Sequence, residues 1–177
     1  MVLKYVATAL TATVVAMVAA VGATAAEPQR AEAAVSTQVA ACGGGNVDLS
    51  AEEKKMLDLH NKTRAQRGLP RLCVHPDLQR AARAYSKEMI AKDRFAHGNV
   101  GERLRKVGYR WSTYGENILY DPGSRDSAES LFKLWMNSSG HRANILEKDF
   151  REIGIGASSG EYKGGRATMW TADFGDR

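Results

Sequence analysis

Apolar residues recur at helical spacing in three stretches of the chain and alternate with polar ones near its end. Ser50 and Glu53 have the spacing of a capping box, and Met56, Leu59 and Thr63 continue a stripe that includes His60. This predicts a helix from Ser50 to about Arg67, stopped by Gly68 and Pro70. Leu78, Ala81, Ala82, Tyr85 and Met89 predict a second helix, opened by Pro76 and ending near Asp93. A short basic helix follows over about Val100 to Val107, closed by Gly108. A third strong helix is expected from about Arg125, with Ala128, Leu131, Phe132 and Trp135 on one face, giving way near Asn137 to the loop "SSGHRANIL".

The period then changes. "EIGIGAS" (152–158) and "RATMWTADF" (166–174) read as strands around the glycine-bearing loop "SGEYKGG", and "ENILY" (116–120) reads as a third. Ile118, Ile153 and Met169 are expected on one sheet face, and Trp170, Ala172 and Phe174 on the other. A sheet that is apolar on both faces must be covered on both, so the fold class is α+β, with a small antiparallel sheet between helix layers and Trp135 largely buried.

The first 26 residues do not belong to that pattern. Lys4 precedes an uncharged apolar run (5–22) and the small residues Ala23-Thr24-Ala25-Ala26, the form of a secretory signal peptide. An uncleaved anchor is the rival, disfavoured because no basic stop-transfer cluster follows. Residues 27–48, rich in Ala, Ser, Thr, Gln and Gly without an aromatic, read as a flexible linker, and 49–177 as the single folded domain. Localisation is therefore expected to be secreted, extracellular or cell envelope, with no stable membrane span after cleavage.

Export changes the meaning of the only two cysteines. Cys42 and Cys73 are expected to pair in an oxidising compartment, closing a loop worth roughly 3 to 4 kcal/mol in the chain-entropy view. The alternative is lipidation of Cys42 in "VAAC", against which stands its distance from the apolar run. The net charge of +5 over 177 residues is mild, and its basic residues are interspersed. The densest cluster, "RLRKVGYR" (103–110), reads as a solvated helix face, so no nucleic-acid partner is expected. Nothing suggests more than a monomer.

Four histidines carry the candidate chemistry. His60 sits inside a helix and reads as a core or cap residue; His75 stands at a helix entrance without a special role. His97 ("FAHGN") and His141 ("SGHRA") lie in glycine-flanked stretches, and Glu116 sits in "YGENI" between a glycine and an apolar run. Two imidazoles and a carboxylate form a recurrent divalent-metal ligand set, zinc being the natural example. A carboxylate beside two imidazoles is expected to favour their protonated forms, with protons competing against the metal. No HExxH, CxxC or phosphate-loop motif is present.

"HNKTR" (60–64), "FAHGN", "YGENI", "WMNSSGHRANIL" and "FREIGIG", in this order, resemble the CAP superfamily of cysteine-rich secretory, antigen 5 and plant pathogenesis-related class one proteins. The match is to its bacterial SCP-like branch and covers about residues 53 to 176. The resemblance implies a three-layer α-β-α sandwich and a cleft with two histidines and two acids. His97, Glu116 and His141 take three of those places; the fourth, three residues after Trp135, holds Ser138 instead of an acid. His60, Asn61 and Arg64 of the HNxxR element, with Asn117, are expected to support the cleft. The expected function is a divalent-cation-dependent binding or interaction module for a lipid, glycan or protein of the envelope. The alternative is an extracellular zinc hydrolase, or more remotely a Ser138–His141–Glu116 relay.

Overall fold

The computed structural model describes residues 36–123 and 127–177. The leader predicted at 1–26, the linker up to residue 35 and the expected helix start at Arg125 lie outside them. Among the described residues no helix is long and apolar enough to cross a membrane.

Residues 36–48, expected as a flexible linker, are a hairpin. Strand β1 (Ser36–Ala40) pairs antiparallel with β2 (Asn46–Ser50). The turn between them uses Gly43, Gly44 and Gly45, all at positive φ, which only glycine adopts readily. Leu49 is buried in the main core and Val39 and Val47 pack against it. These three aliphatic residues dock a stretch whose composition alone could not make a core. The Cys42–Cys73 disulfide fastens it, with the Cys42 amide bonded to the Val74 carbonyl at 2.8 Å, so Cys42 is not free for lipidation.

Helix α1 (Ala51–Ala65) starts as predicted, with both reciprocal bonds of the Ser50/Glu53 capping box formed. After the two-residue strand β3 (Cys73–Val74), α2 (Pro76–Ala91) begins behind His75, whose ring accepts the Asp77 amide proton as an N-cap. Next come α3 (Val100–Lys106), β4 (Thr113–Asp121), α4 (Ala128–Asn137), α5 (Ser139–Leu146), β5 (Glu152–Tyr162) and β6 (Gly165–Asp176). The segment expected as a loop after Asn137 is thus a helix of its own, and it carries His141. The main sheet has the order β3-β5-β6-β4; β4, β6 and β5 are antiparallel, and β3 adds a short parallel edge to β5.

Two helix layers enclose this sheet. Met56, Leu57, Leu131, Phe132, Trp135 and Ile145, from α1, α4 and α5, pack on Ile153, Ile155, Trp170, Ala172 and Phe174. Trp135 is 1% exposed and its indole N–H donates to the Ile118 carbonyl. On the other side Tyr85 and Met89 of α2 meet Ile118 and Met169. Ile153 lies opposite Phe174, not on the face of Ile118 and Met169 where alternation among apolar residues placed it. The α2-facing positions of β5 are Gly154 and Gly156. A Cβ at either would collide with the α2 backbone at Leu78 and Ala82, so α2 lies directly on the strand. The Gln79 amide seals this contact by bonding both the N–H and the carbonyl of Ile155.

Candidate functional site

Strand β4 is the edge of the main sheet, and its Glu116 stands directly opposite Asp173 of β6. Both lie on the side covered by α2 and α3. Gly115 permits the approach to this strand from the other side: a Cβ there would press on the Phe150 ring and the Asn144 side chain. Asn144 of α5 donates to the Glu116 carbonyl and to Asn117 Oδ1, while Asn117 donates to the His141 carbonyl at 2.9 Å. These bonds fix α5, and with it His141, against the strand. Arg64 holds the far end of α5: its buried guanidinium donates to the carbonyls of Pro70, Ile145, Glu147 and Phe150. Asn61 clamps both backbone groups of Leu72. Asn61, Arg64 and Asn117 are thus scaffold. His60 is a core residue, fully buried among Phe132, Trp135 and Phe174, with Nδ1 on the Met56 carbonyl.

The Glu116 side chain is 1% exposed and both of its oxygens are engaged. His97, from the loop between α2 and α3, donates Nδ1–H to Oε1 at 2.8 Å, which leaves Nε2 as the free ring nitrogen. Arg103 of α3 donates from Nη2 to Oε2. Arg103 also donates from Nη1 to the His97 carbonyl at 2.6 Å, and its guanidinium lies over the Tyr85 ring at 3.4 Å. The basic run 103–110 is therefore not uniformly a solvated face: Arg105 and Lys106 point to water, but Arg103 closes over the cleft.

Asp173 is fully buried, and among the described residues no N–H or O–H donor reaches either oxygen. Burial raises its pKa well above the carboxylate range, and the neighbouring Glu116 raises it further. Burial also pushes Glu116 up to about 7, against the pull of Arg103. Both effects favour the protonated form of Asp173, while the Glu116 carboxylate is balanced by Arg103. The histidines depart from expectation. His97 is lowered, first by burial and then by Arg103; His141 is lowered by burial and by the charge of His97. Arg103 spends the charge of Glu116, so both imidazoles are neutral near pH 7.

The structure thus gathers His97, Glu116 and His141 at one edge of the sheet. It does not make Glu116 a third donor to an ion, because its oxygens serve His97 and Arg103. Among the described residues no three His, Cys, Asp or Glu side chains are placed to hold a metal. The Ser138–His141–Glu116 relay is not assembled either. Ser138 joins the end of α4 to the start of α5 through its backbone, and its side chain makes no capping bond. Sequence reasoning missed Arg103, Tyr85, Asn144 and Asp173. Asp173 had a usable signal: alternation in "TMWTADF" puts it opposite in facing to Trp170, Ala172 and Phe174, a carboxyl among covered positions.

The comparisons agree with this architecture. Residues 57–174 match the model of the cysteine-rich secretory protein family, CAP. YkwD of Bacillus subtilis (strain 168) is 36% identical over 132 residues, covering 71% of this chain and 48% of YkwD. The chain therefore spans about half the length of that relative. A crystal structure of an extracellular SCP-domain protein from Bacillus anthracis superposes with a TM-score of 0.60 at 26% identity, over 71% of this chain and 40% of that one. An outer surface protein of Borrelia burgdorferi shares the fold at 16% identity, with a TM-score of 0.61 over 81% of this chain and 99% of its own. The family match over most of the described chain and the α-β-α layering together place it: the chain belongs to the cysteine-rich secretory protein (CAP) family.

Proposed function

We propose that the chain acts outside the cytoplasm as a binding or interaction domain, with the cleft around His97, Glu116 and His141 receiving the polar part of an envelope lipid, glycan or protein. The observation that carries this reading is His97. Its side chain is 52% exposed while Glu116 beneath is buried, so the imidazole is presented to solvent in one tautomer by a rigid support. Such an arrangement offers a ligand a fixed hydrogen-bonding edge. A divalent cation such as zinc has only His97 and His141 as direct donors in this reading. When bound it would supply a Lewis-acidic positive charge, but two imidazoles fall short of the three protein ligands of a catalytic zinc. That favours binding over hydrolysis.

The test is retention of the mature chain on phospholipid vesicles, cell-wall glycan fragments and envelope protein extracts, compared with His97→Ala. The expected result is retention by one class, weakened at least tenfold in the variant, with ester and peptide hydrolysis at background whether or not chelator is present. Chelator-sensitive hydrolysis that disappears in His97→Ala would replace this reading with the zinc hydrolase.

A further inference from the structure

We propose that Arg103 is the resident cation of this cleft: its guanidinium occupies the coordinating oxygen of Glu116, making the site's central carboxylate unavailable to divalent metals. The proposal deepens the cleft reading above and rests on it only for location. Three separate contacts hold Arg103 in place. One arm of the fork is on Glu116 Oε2 and the other on the His97 carbonyl, and the plane of the group covers the Tyr85 ring at 3.4 Å. A guanidinium suits this seat because it is planar, permanently charged and weakly hydrated, so it can bond in its plane and stack on its face at once. Its side chain is only 16% exposed, unlike the other basic residues of α3.

A metal drawn to Glu116 must first break these contacts and return Arg103 to solvent. It must also leave the His97 carbonyl without its donor. Asp173 does not offer a substitute. It is sealed under Glu116 with no exposed surface, and no ion reaches it without dismantling the β4–β6 row. The positive charge that a metal would bring to the cleft is already supplied by the chain. It does not depend on metal supply, and chelators cannot remove it. Arg103 is thus a specificity-determining residue, deciding that the cleft recognises its ligand through a fixed imidazole edge and a covalently tethered cation.

The experiment is calorimetric titration of the mature chain with zinc chloride at neutral pH, in the parent, Arg103→Met, and Arg103→Met combined with Glu116→Gln. Thermal unfolding of each confirms that it is folded. Methionine keeps apolar cover over Tyr85 while removing charge and donors. Zinc affinity is expected to rise at least tenfold in Arg103→Met and to return to the parent level in the double variant. Arg103→Gln provides the same comparison where the methionine variant does not fold. A folded, neutral variant at position 103 with unchanged zinc affinity would overturn the proposal. So would a gain that survives Glu116→Gln. The titration involves no natural ligand, so its failure would leave the binding-domain reading standing, and failure to retain any envelope component would leave this result standing.

Discussion

On the face covered by α1, α4 and α5, the main sheet presents Ile153, Ile155, Trp170, Ala172 and Phe174. On the face under α2 and α3 the same strands present Gly154, Gly156, Thr171, Asp173 and Glu116. Both faces are buried, but they are satisfied differently. The first is held mainly by complementary shape, and its few polar atoms are the ring nitrogens of Trp135, Trp170 and His60, of which Trp170 Nε1 and His60 Nε2 have no partner among the described residues. The second carries more polar groups, which the Ser86–Thr171 bond and the Arg103 fork meet only in part, because Arg103 Nε and the Asp173 carboxyl are buried without a hydrogen-bond partner among the described residues. The first face is thus a packing surface, and the second carries the cleft beside its own smaller apolar clusters.

The sharpest way to break this contrast is to truncate the first face. Trp135→Ala should lower the unfolding free energy by about 3 to 5 kcal/mol in a urea titration, because a large cavity opens and the Ile118 carbonyl loses its donor. A loss below about 1 kcal/mol would mean that this helix layer contributes little.

Acid should act on the two faces with opposite sign. His60, in the apolar layer, is lowered by burial to about 4 from 6.5, so the unfolded chain takes up a proton between those values that the folded chain refuses. Stability is then lost as pH falls from 6.5 to about 4, by about 3 kcal/mol. Glu116 is raised by burial from 4.5 to about 7, so its contribution is full below pH 4.5 and is lost as pH rises through about 7. Between pH 4.5 and 6.5 the two slopes oppose. Glu116→Gln removes one of them, and its stability should fall more steeply on acidification than that of the parent. Equal slopes would show that Glu116 titrates normally.

The smallest effect is expected at Asp173. Below about pH 4 the unfolded acid is protonated too, and asparagine copies the shape of a neutral carboxyl, so Asp173→Asn should change stability there by less than about 1 kcal/mol. As pH rises the parent must hold a proton that its unfolded chain releases, so the variant should become the more stable of the two. A variant less stable than the parent at pH 7 would mean that the native acid is ionised.

How much of this was legible beforehand follows the same division. The α1 start, the α2 stripe and the buried Trp135 were readable because capping and helical period are local. The family motifs pointed to His97, Glu116 and His141, and the structure bonds His97 to Glu116 and ties the His141 carbonyl to Asn117, but the helix under His141 was not legible. Ile153 was assigned to the wrong face because its neighbours on the other side are glycines, which carry no hydropathy signal. The N-terminal hairpin was hidden because its order comes from the disulfide and three aliphatic contacts. Arg103 and Asp173 were missed for a deeper reason: each acquires its role from Glu116, and strand pairing and helix packing bring them to it from distant parts of the chain.

Whether Glu116 belongs to His97 and Arg103 and not to a metal is tested most directly by a crystal structure of the chain grown with zinc at neutral pH. Any zinc is expected to sit on the imidazoles of His97 and His141, with the Arg103 guanidinium still on Glu116. A zinc ion coordinated by a Glu116 oxygen, with Arg103 swung into solvent, would contradict it.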